Sequence, residues 1–206
     1  MENTKKNLSQ ELFLVTRQDK ERLNRNKAFV IWLTGLSGAG KSTIARKLEL
    51  QLFNAGIRTA ILDGDNTRMT INRDLDFSAS GRRENIRRVA EMAKLFNDAG
   101  IVVITSFISP FADDRKMAKE IIGNEFFKEI FIDASLEVCI ARDAKGLYKK
   151  AMNGELKDFT GISSPYEQPQ NPALVVPTNK YSPEESVIQI FEWLISEQLI
   201  LLKRFK

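Results

Sequence analysis

The stretch Gly35-Leu36-Ser37-Gly38-Ala39-Gly40-Lys41-Ser42 limits the possible folds of this chain more than any other segment. It fits the spacing G-x-x-x-x-G-K-[ST]. Directly before it stands an apolar run, Ala28-Phe29-Val30-Ile31-Trp32-Leu33, which suits a strand buried on both faces. After it, Ile44, Leu48 and Leu52 form an apolar helix stripe, and Gly56 sits where a helix-closing glycine belongs. A strand, a glycine loop and a helix in that order make an anion cradle. Glycines let the backbone curve tightly and bring its N–H groups close to phosphate oxygens. The helix turns its positive end toward the same anion. Lys41 adds a mobile charge for transferring phosphates, and the Ser42 hydroxyl can ligate Mg²⁺. Four fixed positions match by chance in roughly one sequence in a hundred at average residue usage. The flanking strand and helix lower that further, so a nucleotide phosphate site outweighs a glycine-rich turn of no consequence.

Strand-like and helix-like segments alternate through the rest of the chain. Thr16-Arg17-Gln18-Asp19 has the form of a capping box with Asp in place of Glu, so a short helix is expected to about Asn24. Thr59–Leu62, Ile101–Ile104, Ile130–Ile132 and Leu174–Val176 read as strands. Glu84–Ala99, Asp113–Ile122 and Leu136–Ala141 read as helices. Ser182-Pro183-Glu184-Glu185 opens another, with Pro at its first position and acids in its first turn. Periodicity fades over 143–172, and a loop that long in a compact domain is as a rule functional or disordered. The expected organisation is an N-terminal helical extension over 1–27 and a single domain over 28–206. Alternating strands and helices give an α/β fold on a parallel sheet. Such sheets bind ligands beyond the C-terminal strand ends, so functional residues are expected just after Leu33, Leu62, Ile104 and Ile132.

Residue usage removes other chemistries. The 206 residues hold 31 Lys and Arg against 27 Asp and Glu, and a net charge of +4 permits an anionic ligand without arguing for nucleic acid. With no His and the single Cys139, a structural zinc site, a Ser-His-Asp triad and an internal disulfide are excluded. The chemistry must rest on carboxylates, Lys, Arg, hydroxyls and backbone amides. Ala28–Leu33 is too short to cross a bilayer, and Leu12–Val15 is too short for a secretory signal. A cytoplasmic protein without a membrane partner is expected.

The second strand runs into Asp63-Gly64-Asp65-Asn66-Thr67-Arg68. Two carboxylates one residue apart at a strand tip face the place where phosphate and Mg²⁺ should lie. Asp-Gly and Asn also suit a solvated turn, but the phosphate loop next door favours chemistry. One Asp could accept a proton from an attacking hydroxyl or hold a metal-bound water. The third strand ends in Thr105-Ser106 without an acid. A typical ATPase carries its metal-binding Asp there, so the pattern points away from a motor or GTPase and toward a small-molecule kinase.

These segments together resemble the adenylylsulfate kinase (APS kinase) family over about Val15 to the C-terminus. The resemblance rests on Gly35–Thr43, Asp63–Arg68, Phe77-Ser78 and Arg82-Arg83-Glu84-Asn85-Ile86-Arg87-Arg88. It continues through Ser106-Phe107-Ile108-Ser109-Pro110, Arg142–Ala151 and Asp158-Phe159-Thr160-Gly161-Ile162. It implies an α/β P-loop NTPase fold: a parallel five-stranded sheet with helices on both faces, like the nucleoside monophosphate kinases, with a lid over about 143–160. It implies phosphorylation of the 3′-hydroxyl of adenylyl sulfate by ATP with Mg²⁺, in a homodimer, with no nucleic-acid partner.

By the same resemblance, Gly35, Leu36, Ser37, Gly38, Ala39, Gly40, Lys41, Ser42 and Thr43 hold ATP. Arg142 packs on its adenine, with Thr178 bordering it. Lys41, Asp63, Asp65 and Ser109 are the catalytic candidates, with Asp63 the base or its closest supporter; Ser42 and Asp63 are the metal candidates. Asp65, Asn66, Arg68, Arg82, Asn85, Ile108, Ser109 and Lys145 contact the acceptor, and Phe77 and Phe159 sandwich its adenine. Arginine suits this work because its planar donor fork matches phosphate and sulfate oxygens. Ser109 is read as a substrate-binding hydroxyl, since in-line transfer needs only positioning and charge neutralisation; a phosphorylated serine intermediate is the alternative. Four positions depart from the family pattern: Asp76, Gly81, Ala144 and Ser163. Gly81 is expected to cost a helix cap. Another small-molecule kinase of this fold is the nearest rival, and a nucleic-acid-binding phosphate-loop module is the rival from a different class.

Overall fold

The computed structural model describes Ser9 and residues 11–200. Strands β1 (Val30–Thr34), β2 (Thr59–Asp63), β3 (Val102–Ser106), β4 (Phe127–Asp133) and β5 (Leu174–Pro177) pair in parallel. Their spatial order is β2-β3-β1-β4-β5, the five-stranded parallel sheet expected from the alternation. Every residue of β1 is buried because it has a strand on each side and helices on both faces. Side chains alternate across a strand, so β1 feeds two cores. Ile31 and Leu33 join Ile44, Leu48 and Leu52 of α2 (Lys41–Asn54) and Ile190 and Leu194 of α8 (Pro183–Ser196). Val30 and Trp32 join Val89 and Ala93 of α4 (Ala79–Asp98) and Ala118 and Ile122 of α5 (Ala112–Ile122).

Parallel pairing brings Thr34, Asp63, Ser106, Asp133 and Pro177 to one rim of the sheet. β2 and β3 run past their apolar residues because Asp63 is paired in register with Ser106. Backbone pairing needs no apolar side chain, so the ladder carries both polar residues to the rim. Two short helices, α3 (Gly64–Met69) and α7 (Leu147–Met152), lie where the sequence pattern suggests none. Helix α6 spans Leu136–Arg142.

Helix α4 begins at Ala79, more than a turn ahead of the expected Glu84. Ser78 is its N-cap and accepts from the Gly81 N–H at 3.1 Å. The expectation that Gly81 costs a cap is therefore corrected: the cap is intact, and Gly81 lies inside the first turn. Helix α1 (Arg17–Asn24) has a complete Thr16–Asp19 capping box. It docks on the end of α4, with Lys20 Nζ donating to Asp98 O and Asn24 Nδ2 to Gly100 O, while the Arg17 guanidinium lies 3.4 Å from the Phe126 ring centre. Among the described residues no helix is long and apolar enough to cross a membrane.

Leu48 is fully buried under β1. Leu48→Ala is expected to cost about 2–5 kcal/mol, read as a lower urea midpoint with an unchanged denaturant slope. A shift equivalent to less than about 1 kcal/mol would mean that this core closes over the gap.

Candidate active site

The phosphate loop is wedged between the sheet rim and α6. Gly35, Gly38 and Gly40 take φ of 153°, 77° and 103°, which L side chains rarely adopt. A Cβ on Gly35 would lie 2.4 Å from Ile132 O, and one on Gly38 would lie 3.1 Å from Cys139 O. Lys41 opens α2 and is almost fully buried. Its ammonium donates to Gly35 O and Leu36 O, both at 2.8 Å. Burial pushes its pKa down to about 8, while nearby Asp63 acts in the opposite direction.

Across the loop lie the strand-tip acids. Asp63 Oδ2 accepts from Ser42 Oγ at 2.7 Å, and Ser106 Oγ lies 3.1 Å from the same hydroxyl. Asp63 Oδ1 caps α3 by accepting from Asp65 N at 3.1 Å, which fixes the carboxylate on the Ser42 side. Asp65 reaches outward and pairs with Lys145. Asn66 is exposed beside it on α3. Ser42, Ser106 and Asp63 are all hard oxygen donors, the set Mg²⁺ takes when phosphates and waters complete its shell. The described residues hold no cluster of three or more acidic, His or Cys ligands, and Mg²⁺ beside a triphosphate does not require one.

The arginines converge on two segments. Arg68 Nη1 donates to Leu75 O and Asp76 O, and its guanidinium lies 4.3 Å from the Phe77 ring centre. Arg82 Nε donates to Phe77 O at 2.8 Å. Its other nitrogens donate to Thr160 Oγ1 at 2.8 Å and to Asp158 O. One guanidinium thus ties together the segments that carry Phe77 and Phe159. Partial burial lowers the pKa of both arginines, and both stay charged at any physiological pH. Phe77 is largely exposed, whereas Phe159 packs edge-on against Tyr148 at 5.0 Å.

Asn85 is buried, and its Oδ1 accepts from Asn72 Nδ2 at 3.0 Å. Ile108 O accepts from Thr34 Oγ1. Ser109 is also buried, with φ of 40°, in the left-handed region. Its hydroxyl accepts from Trp32 Nε1 at 3.2 Å, and its carbonyl accepts from Arg115 Nη1 at 2.8 Å. On the far side of the loop, Arg142 Nη2 donates to Thr178 O at 2.6 Å, and Thr178 Oγ1 donates to Ala39 O at 2.8 Å. The Thr43 side chain is half-buried on α2. A cavity of about 760 Å³, lined by Leu36, Leu136, Ile162 and Tyr166 among others, opens beside the loop without including Lys41 or Asp63.

Three contributors escaped sequence reasoning. Asn72 is fully buried and holds the Asn85 amide. Tyr148 OH donates to Ser37 O and moors α7 to the phosphate loop. Thr160 receives Arg82. A buried polar residue gives no periodic signal; only its lack of an apolar partner in an amphipathic count could have marked it.

A family model described as Adenylylsulphate kinase matches residues 27–177. The chain is 51% identical over 186 residues to an adenylyl-sulfate kinase of Clostridium acetobutylicum, covering 90% of this chain and 92% of that one. An adenylyl-sulfate kinase of Thermodesulfovibrio yellowstonii is 48% identical over 194 residues, covering 94% and 97%. The solved structure of the Mycobacterium tuberculosis APS kinase CysC in complex with AMPPNP and APS matches with a TM-score of 0.79 and 41% identity. That match covers 82% of this chain and 99% of that one.

With a pKa of about 8, Lys41 is charged below that pH and neutral above it. A ligand that needs the ammonium therefore binds more weakly as pH rises. ATP affinity, measured by titration, is expected to fall above pH 8 by up to about tenfold per unit. Lys41→Arg, whose guanidinium stays protonated, is expected to flatten that fall. A flat wild-type profile from pH 7 to 9 would remove Lys41 as the titrating contact.

Proposed function

Because the chain belongs to the adenylylsulphate kinase family, we propose that it passes the γ-phosphoryl group of ATP to the 3′-hydroxyl of adenylyl sulfate, giving 3′-phosphoadenylyl sulfate and ADP in sulfate activation. The observation that carries this reading is the 2.7 Å bond between Ser42 Oγ and Asp63 Oδ2. It puts the donor's phosphate loop and a strand-tip carboxylate in one space.

In this reading the Gly35–Thr43 amides hold the triphosphate tail. Lys41 trades the Gly35 and Leu36 carbonyls for phosphate oxygens, which are stronger acceptors. Ser42 and Asp63 are the residues that would hold Mg²⁺, which when bound neutralises phosphate charge. A ribose hydroxyl is a weak nucleophile, and Asp63 receives its proton as the phosphoryl group arrives. Asp65, Asn66, Arg68, Arg82, Asn85, Ile108 and Lys145 position the acceptor, and Phe77 and Phe159 take the two faces of its adenine. Arg142 and Thr178 border the adenine of ATP. The segment 143–160 acts as the lid, and the extension over 1–27 precedes the kinase domain of 28–206, with its helix α1 docked on α4. Burial of Ser109 and its bond to Trp32 support a positioning role over a phosphorylated intermediate. A cytoplasmic homodimer completes the reading.

An acceptor panel with Mg-ATP tests the whole: adenylyl sulfate is expected to turn over, and turnover of another acceptor in its place would overturn it. Lys41→Ala is expected nearly to abolish transfer. Asp63→Asn is expected to lower kcat by about 10²–10⁴-fold with ATP binding retained. Unchanged turnover in Asp63→Asn would move the base role to Asp65 or to solvent.

A further inference from the structure

We infer that Asp76 is a positioning residue for the acceptor clamp, and that position 81 carries no side chain because the Asp76 carboxylate fills that space. The inference rests on the reading above. The segment Leu75–Phe77 joins the region after α3 to the start of α4, and it orients both clamp arginines. Leu75 O and Asp76 O accept from Arg68 Nη1 at 3.3 and 3.0 Å, and the Phe77 ring lies against that guanidinium. Phe77 O accepts from Arg82 Nε. If this segment shifted, both cations would turn with it.

Its shape is held by one carboxylate. Asp76 Oδ1 accepts from Ser78 N at 3.1 Å and from Ser78 Oγ at 2.5 Å. Ser78 Oγ in turn accepts from Gly81 N, so the acid is linked to the helix cap. The negative charge sits at the positive end of α4, where it is favourable. Nearby Ser78 and Arg68 hold the Asp76 carboxyl below the usual range.

Gly81 is the other half of the arrangement. It lies in a helix with no positive φ, so its backbone does not call for glycine. Glycine inside a helix is less stable than alanine, and a packing reason is needed. A Cβ there would stand 2.2 Å from Asp76 Oδ1 and 2.6 Å from Asp76 O. Any side chain at 81 must displace the carboxylate, its Ser78 bonds and the carbonyl that orients Arg68.

The test compares wild type, Gly81→Ala, Asp76→Gly and the double variant as full chains, with KM measured separately for adenylyl sulfate and ATP. Gly81→Ala is expected to raise KM for adenylyl sulfate about tenfold or more, with KM for ATP within about twofold, since a uniform binding contact is lost on the acceptor side alone. In the Asp76→Gly background, Gly81→Ala is expected to add little further loss, because the contested space is already vacated and the hold of the carboxylate is already gone. Asp76→Ala is expected to raise the same KM more than Asp76→Asn, which keeps an acceptor oxygen. If Gly81→Ala fails to fold, that alanine–asparagine comparison decides. The inference is overturned by an unchanged KM in Gly81→Ala, by equal losses for both substrates, by Gly81→Ala costing as much in the Asp76→Gly background as in wild type, or by Asp76→Ala behaving like Asp76→Asn. Wild type that ignores adenylyl sulfate would instead overturn the underlying reading.

Discussion

A cradle for phosphate can lie across this sheet rim because residue 35 has no side chain. A single methyl group there would press to 2.4 Å on the carbonyl of Ile132, at the end of β4. That strand is paired with β1 and cannot retreat without breaking the ladder. The positions of Lys41 and Ser42 follow, since both begin the helix that leaves the loop. The rim then supplies Asp63 and Ser106, held level by their own backbone pairing. The Ser42–Asp63 contact is therefore set by β-sheet register as much as by the side chains themselves.

The site's cations are already engaged, but with partners weaker than phosphate or sulfate. Lys41 holds two neutral carbonyls. Arg68 and Arg82 hold carbonyls of the 75–77 segment, and Arg82 also holds the carbonyl of Asp158. A charged acceptor makes roughly twice as strong a bond as a neutral one. An arriving anion can displace these partners without first paying to assemble the donors. Lys145 and Asp65 pair at an exposed position, where such pairs contribute about 0–1 kcal/mol, so that link yields as easily.

The fold was legible because two signals agreed: an unbroken apolar run before the glycines, and a four-residue stripe after them. Local capping signals held at Thr16 and Ser182, but apolar pattern alone misplaced several element ends. The strands through Asp63 and Ser106 and the start of α4 ran beyond their apolar residues because hydrogen bonding sets those ends. Short helices α3 and α7 bury only Thr67, Tyr148 and Ala151 between them, too little for a periodic pattern. Of the candidate site, the residues that gather around the phosphate loop and the strand tips could be named from their motifs. Their partners could not: the bonds from Asn72 to Asn85, Tyr148 to Ser37 and Trp32 to Ser109 join positions far apart in sequence.

The stretch after α6 is attached unequally on its two sides, and this asymmetry follows from the residues at each end. Toward the donor loop, Tyr148 is buried and hydrogen-bonded to Ser37 O, while Arg142 reaches Gly38 O and Thr178. Burial raises the Tyr148 pKa, so its hydroxyl stays a donor at any working pH. Toward the acceptor side, the attachments are Lys145 to Asp65 and Arg82 to Asp158 and Thr160. Each of these runs through Lys145 or Arg82, whereas none of the donor-side bonds does. The donor side is thus anchored by the buried Tyr148 hydroxyl and by Arg142, whereas the acceptor-side attachments named here all run through Lys145 or Arg82.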